Sequence, residues 1–293
     1  MDRDKVLKQL LNSGETLIMP DAFDPISAKI IEYAGFSAIQ CSGYSFAISK
    51  GYISEEDIDL NTNLNMTREI IQAVNIPVKA DGEDGYGEGK DLENTIKEFI
   101  KIGVSGINIE DQNHKITSSP LKIIDKYSML NKIKEANKTK NDLGRKEFII
   151  NARTDALKSS DNRKEAQKLA IERANKYLEA GADLCFITYA TTLEEVKLLS
   201  KEINGPISIA AGLPYNIQEF SINDCIELGI ARVSLPTVMI LNSIGSMLKN
   251  LIEVKNTGNF NQVIQDNYLV SHGDVLTNIR NNKKKICNYP KQL

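Results

Sequence analysis

A chain of 293 residues with 41% hydrophobic and 26% charged side chains has the make-up of a globular protein, either one large α/β domain or two ordinary ones. Its 36 Lys+Arg against 39 Asp+Glu leave a formal charge of −3, which argues against nucleic acid or an anionic membrane as the main partner. No apolar run reaches the ~20 residues of a membrane span, and the charged opening Asp2-Arg3-Asp4-Lys5 does not fit a signal peptide, so a cytoplasmic protein is expected.

Taken in chain order, short β-branched runs predict strands over 16–19, 38–41, 78–81, 106–110, 148–152, 184–188, 207–210 and 232–235. Helical spacing fills the intervals, as in Leu92, Ile96, Phe99 and Ile100, or Ala166, Leu169, Ala170, Ala174 and Tyr177. Three of these helices run into Gly35, Gly103 and Gly181 before the next strand, where glycine accommodates a left-handed helix end. Eight strands with crossover helices and no linker favour a single (β/α)8 barrel of the TIM type spanning 1–293; a doubly wound open sheet is the competing topology. Beyond the eighth strand, two apolar helical patterns (Val238 to Ile252, and Val275 to Ile279) remain. Residues 237–293 are therefore expected to pack on a neighbouring subunit. Lys283-Lys284-Lys285 reads as a solvated end, and Cys41, Cys185, Cys225 and Cys287, without Cys-x-x-Cys spacing, read as reduced thiols.

The active face of a parallel barrel is the C-terminal end of its strands. Asp81 and Glu83 follow strand three, where an extended chain would put both on one face, and Glu110 ends strand four. Three carboxylates at adjacent strand ends repel unless a hard cation sits among them, and oxygen ligands suit Mg2+ or Mn2+. Arg153, ending strand five, either pairs with an acid such as Asp155 or clamps a substrate carboxylate or phosphonate. After strand two, Ser42, Gly43 and Tyr44 offer successive backbone N–H groups for an oxyanion. In the polar loop after strand four, His114 is the only imidazole placed to donate a proton, with Lys115 as a possible substitute. That loop, 112–120, is expected to close over bound substrate.

Several stretches then carry a family resemblance. Pro20-Asp21-Ala22-Phe23-Asp24-Pro25-Ile26-Ser27-Ala28, Ser42-Gly43, Asp81-Gly82-Glu83-Asp84-Gly85-Tyr86-Gly87, Gly106-Ile107-Asn108-Ile109-Glu110-Asp111-Gln112 and Ala152-Arg153-Thr154-Asp155-Ala156 occur in this order. Together, over about 15–255, they resemble the phosphoenolpyruvate mutase/isocitrate lyase superfamily. The resemblance implies a Mg2+-dependent barrel that makes or breaks a C–C or C–P bond next to a 2-oxo acid, often through an enolate, with paired barrels exchanging helices and tetramers common. It assigns Asp81, Glu83 and Glu110 to the metal, directly or through water. It assigns backbone groups around Ser42, Gly43 and Tyr44 to the oxo acid, and Arg153 to its carboxylate or the departing group.

The departures are specific. The C–C lyases of the family carry Lys-Lys-Cys-Gly-His in the loop after strand four, whereas this chain reads Gln112-Asn113-His114-Lys115-Ile116-Thr117-Ser118-Ser119. Mutase-like spacing is kept, but Gln112 and Ser118 replace a Lys and an Asn; by that spacing Ser118 and Ser119 would reach the leaving group. A family Asp aligns with Ser54, just ahead of Glu55, Glu56 and Asp57, and a mutase His aligns with Thr188, which would then contact substrate. The expected function is a C–C lyase or decarboxylase working through an enolpyruvate-like intermediate, with His114, Ser119 and Arg153 as catalytic residues. The alternatives are C–P chemistry, as phosphonomutase or phosphonopyruvate hydrolase, and a non-catalytic carboxylate-binding homologue.

Overall fold

Eight strands form one parallel sheet in the order β1-β8-β7-β6-β5-β4-β3-β2. They are β1 (Leu17–Pro20), β2 (Ile39–Gln40), β3 (Val78–Asp81), β4 (Gly106–Glu110), β5 (Ile149–Thr154), β6 (Leu184–Ile187), β7 (Ile207–Ala210) and β8 (Arg232–Leu235). The computed structural model describes residues 2–113, 116, 118–261, 263 and 275–281. Between β1 and β2 the ladder thins to a parallel bridge from Asp21 to Gln40, with Ala22 N donating to Gln40 O (2.9 Å). The sheet thus curls into a nearly closed (β/α)8 barrel, and the doubly wound alternative is set aside.

Helices α1 (Arg3–Leu11), α2 (Pro25–Tyr33), α3 (Gly43–Lys50), α4 (Leu60–Ala73) and α5 (Lys90–Ile102) surround the first half. Helices α6 (Lys126–Asp142), α7 (Arg163–Glu179), α8 (Leu193–Glu202), α9 (Ile222–Glu227) and α10 (Val238–Thr257) complete the ring. Their local logic is conventional. At α2, Asp24 accepts from Ser27 N (2.7 Å) in a capping box with Pro25 in the first turn, so this motif stretch builds a helix start. Helix α5 ends at Gly103, whose φ of +95° is the left-handed turn anticipated from sequence.

Strand alternation divides the interior. Outward residues such as Val78, Ile107, Ile109, Ile150, Ile187, Ile209 and Val233 pack into the helices as one buried cluster, each contributing ~2 kcal/mol of transfer free energy. At the N-terminal end, Leu7 of α1 closes the barrel against Leu17, Met19, Ile149 and Leu184. The middle of the barrel is polar: Lys79, Asn108, Asn151, Ser208 and Arg232 are all buried there, where branched aliphatics usually fill such a barrel. Cys41, Cys185 and Cys225 are buried free thiols.

Helix α10 leaves Leu241, Met247, Leu248, Leu251 and Ile252 exposed, with Ile240 its one buried residue. A short helix, Val275–Arg280, follows where the tail pattern predicted one. His272, Cys287 and Lys283-Lys284-Lys285 lie outside the described residues.

Candidate active site

At the C-terminal ends of β3 and β4, Asp81, Glu83 and Glu110 each bring a carboxylate oxygen within 4.8 Å of the others. The acids converge as the sequence suggested, but not for the expected reason. Strand β3 ends at Asp81, and Glu83 sits in the left-handed region (φ +50°), so the two acids do not share a face of extended chain. Glu83 is instead folded back across the mouth, with Glu110 N donating to its carbonyl (2.9 Å), which ties the two acid-bearing segments together. All three acids are buried. Glu83 Oε1 has no hydrogen-bond partner. Burial, then the charges of Asp81 and Glu110, raise the Glu83 carboxyl well above the usual range. An orphaned oxygen in a crowded set of hard donors is the environment a divalent cation relieves, so the residues fit Mg2+ or Mn2+.

The mouth is completed by α3. Its N-cap, Ser42, makes no side-chain cap hydrogen bond, so the Ser42 hydroxyl does not occupy the first-turn N–H groups. Gly43 N points at Asp81 Oδ2 (3.5 Å). A Cβ on Gly43 would lie 1.7 Å from Glu83 Oε1, so any larger residue here would push that carboxylate aside. Asp21, fully buried at the end of β1, accepts from Ser45 Oγ, and burial pushes its carboxyl up to about 6.

Arg153 takes the first of the roles weighed for it, pairing with acids, and it also lines the site's cavity. Its Nε and Nη2 donate to the two oxygens of Asp155 (2.9 and 3.0 Å), and Nη1 lies 2.5 Å from Glu110 Oε2. Burial opposes its charge, but Asp155 and Glu110 hold the guanidinium firmly protonated. Asp155 is itself fixed: Thr188 Oγ1 donates to it, and its N–H donates to Asp111 Oδ1 (3.0 Å). Asp111 accepts further from Thr154 Oγ1, Arg173 and Tyr177 (2.7–2.9 Å). Beneath the acids, Lys79 Nζ donates to Asn108 Oδ1 (2.5 Å) and Asn108 Nδ2 to Asp81 Oδ1 (3.4 Å). Burial, then the charge of Arg232, holds Lys79 well below the lysine range.

A cavity of about 320 Å3 opens over this floor, and Ser42, Tyr44, Asp81, Arg153 and Thr188 line it. Of the other sequence-predicted residues, Ser119 is exposed and Ser118 Oγ donates to Pro120 O (2.9 Å); neither lines the cavity. His114 lies outside the described residues, as do Lys115 and Thr117. Ser54 caps the 3-10 turn Glu55–Asp57 by accepting from Glu56 N, while the adjacent Glu55 lines the cavity. Sequence reasoning missed Asn108, Tyr189 and Tyr215 at the site. Only Asn108, a polar residue inside a buried β-branched strand, carried a signal that could have marked it.

Comparisons with known proteins agree with this geometry. The family model described as phosphoenolpyruvate phosphomutase matches residues 7–255. The 2,3-dimethylmalate lyase of Eubacterium barkeri is 33% identical over 210 residues, 68% of each chain. A 2-methylisocitrate lyase of Halalkalibacterium halodurans is 30% identical over 203 residues, covering 68% of this chain and 64% of that one. Oxaloacetate acetylhydrolase, solved with 3,3-difluorooxalacetate, superposes with a TM-score of 0.81 over 96% of this chain and 93% of that one; at 20% identity the likeness is one of fold.

Proposed function

The chain belongs to the phosphoenolpyruvate phosphomutase family, and from that premise we propose that it is a divalent-metal-dependent carbon–carbon lyase or decarboxylase acting on a small 2-oxo or 2-hydroxy acid. One observation carries the reading: three buried carboxylates converge beside an arginine, and one of them, Asp81, lines a single cavity together with Arg153 and the helix residues Ser42 and Tyr44. Bound Mg2+ or Mn2+, held by Asp81, Glu83 and Glu110, would supply positive charge to the substrate's oxygens. The N–H groups of Gly43 and Tyr44 donate hydrogen bonds to the oxo-acid oxygen on which negative charge develops as its neighbouring bond breaks; losing one such donor typically costs about 100–1,000-fold in rate. Arg153, held at a fixed angle by Asp155, orients the carboxylate. The loop 112–120 closes over the cavity, and His114 or Ser119 delivers the proton that the departing carbon takes up.

The test is a panel of oxaloacetate, 2- and 3-alkylmalates and phosphonopyruvate, with Mg2+ or with chelator, followed by detection of the 2-oxo acid released. Metal-dependent turnover of a malate or oxaloacetate, lost in Asp81→Ala, supports the proposal. Turnover of phosphonopyruvate alone would favour the C–P alternative, which the mutase-like spacing to Ser118 and Ser119 supports. Binding without turnover across the panel would indicate a carboxylate sensor.

The proposal extends to assembly and location. The chain acts as one barrel domain in the cytoplasm, and the exposed apolar face of α10 packs on a second copy in a dimer or tetramer. Among the described residues no helix is long and apolar enough to cross a membrane. A monodisperse monomer of about 33 kDa in light scattering at micromolar concentration would refute the assembly.

A further inference from the structure

The cavity has two unlike ends. The floor carries Asp81, Ser42 and Arg153, whereas the ends of β6, β7 and β8 supply Phe186, Tyr189, Leu213, Pro214, Tyr215 and Pro236. Tyr189 and Tyr215 form a ring pair with centroids 5.9 Å apart. This wall is built rather than incidental. Asn216, 1% exposed, donates to Ala190 O (3.0 Å) and Ala210 O (2.9 Å), and its Oδ1 accepts from Leu213 N (3.0 Å). It thereby clamps the segment bearing Leu213, Pro214 and Tyr215 to the ends of β6 and β7. Tyr189 is held in the left-handed region (φ +61°), a conformation that costs a bulky residue of order 1–3 kcal/mol and that persists only where its surroundings impose it.

The charges at the two ends differ as sharply. Among the described residues that line the cavity, Arg153 is the one cation, and Asp155 and Glu110 already engage it. Lys158 reaches the Tyr189 ring at 4.7 Å without lining the cavity. Glu55 adds negative charge at the rim. Against this wall a second carboxylate or a phosphonate would meet, among the described residues that line the cavity, rings and prolines and no cation, and desolvating it there is costly. An apolar group would instead gain burial against the rings.

We infer that the substrate carries, on the side away from its metal-seeking 2-oxo or 2-hydroxy acid end, an uncharged alkyl or aryl substituent seated between Tyr189, Tyr215 and Phe186. This rests on the function proposed above and narrows its substrate class. The substituent is carried in addition to the second carboxylate that a malate or oxaloacetate bears, which is seated away from these rings.

Isothermal titration of the full-length, Mg2+-loaded protein with pyruvate, phenylpyruvate, 4-methyl-2-oxopentanoate and 2-oxoglutarate tests it. Phenylpyruvate or 4-methyl-2-oxopentanoate is expected to bind at least tenfold more tightly than pyruvate, and whichever leads separates an aryl from an alkyl substituent. The charged tail of 2-oxoglutarate gives no gain. Tyr215→Ala should lower the ratio of apolar-acid to pyruvate affinity at least fivefold, while Tyr215→Phe retains it. Pyruvate binding with no preference for the apolar acids, tighter binding of 2-oxoglutarate, or a ratio unmoved by Tyr215→Ala overturns the inference alone. Failure of all four acids to bind overturns the functional proposal and this inference with it.

Discussion

Replacing Glu83 by Gln removes one charge from three crowded carboxylates, and the structure sets the size of the effect. At 4.8 Å and an effective dielectric constant of ~20, each like-charged pair costs about 3.5 kcal/mol. Glu83 faces two such partners, but Arg153 offsets Glu110, so a net relief of about 2–4 kcal/mol is expected. Little is lost in exchange, because Glu83 Oε1 accepts no hydrogen bond, and a Gln amide can donate to either neighbouring carboxylate. Urea denaturation at pH 8 with chelator should therefore find Glu83→Gln more stable than the wild type. Saturating metal should reverse the order: at 100 times its dissociation constant Mg2+ adds about 2.7 kcal/mol to the wild type, and the variant should gain less than half of that. The pH dependence has a definite sign. Glu83 titrates well above 4.5 in the folded chain, so the wild type loses stability as pH rises from 4.5 through the folded value, and the gap to the variant closes below 4.5. A variant that is destabilised in chelator, or one that gains as much from Mg2+ as the wild type, would refute the metal-site reasoning.

Gly43→Ala should lower both metal and substrate affinity at least tenfold, because its Cβ must displace Glu83; titration calorimetry with unchanged Mg2+ binding would refute this. Asp21, raised from 3.8 to about 6 by burial, binds its proton more tightly when folded, so its contribution falls by about 3 kcal/mol as pH rises from 4 to 7. Denaturation of the wild type against Asp21→Asn across that range should show the loss in the wild type only. His114→Ala and Ser119→Ala should each lower kcat with metal binding retained, and the loop 112–120 should be cut more slowly by protease when substrate is bound. Wild-type rates in both variants would remove the lid from the mechanism.

Much of the barrel was legible because its strands are short β-branched runs punctuated by glycine: β3, β4, β7 and β8 fall where the pattern places them. The strand ends shift by a residue or two elsewhere, as at β5, where Arg153 and Thr154 continue the strand under pairing with β6. The convergence of Asp81, Glu83 and Glu110 was legible from adjacency, but the turn that brings Glu83 back was not, since a left-handed glutamate leaves no mark in residue type. Asp155 was visible as a possible partner for Arg153; the support behind it from Asp111, Arg173 and Tyr177 joins residues up to 66 apart in sequence and is set by tertiary packing. The apolar wall was invisible for the same reason, because it gathers residues at or beyond the ends of three different strands, β6, β7 and β8.

The clamp made by Asn216 separates what the site selects from how the site is held. Its hydrogen bonds run to the carbonyls of Ala190 and Ala210 and from the amide of Leu213, so none of them depends on the side chains at 213, 214 or 215. Those three positions form a replaceable cassette on a fixed mount. Natural drift or a randomised library there can retune substrate preference while the carboxylate cluster and the arginine keep their geometry. Asn216 itself, invisible to any ligand, is the position such a library must leave alone.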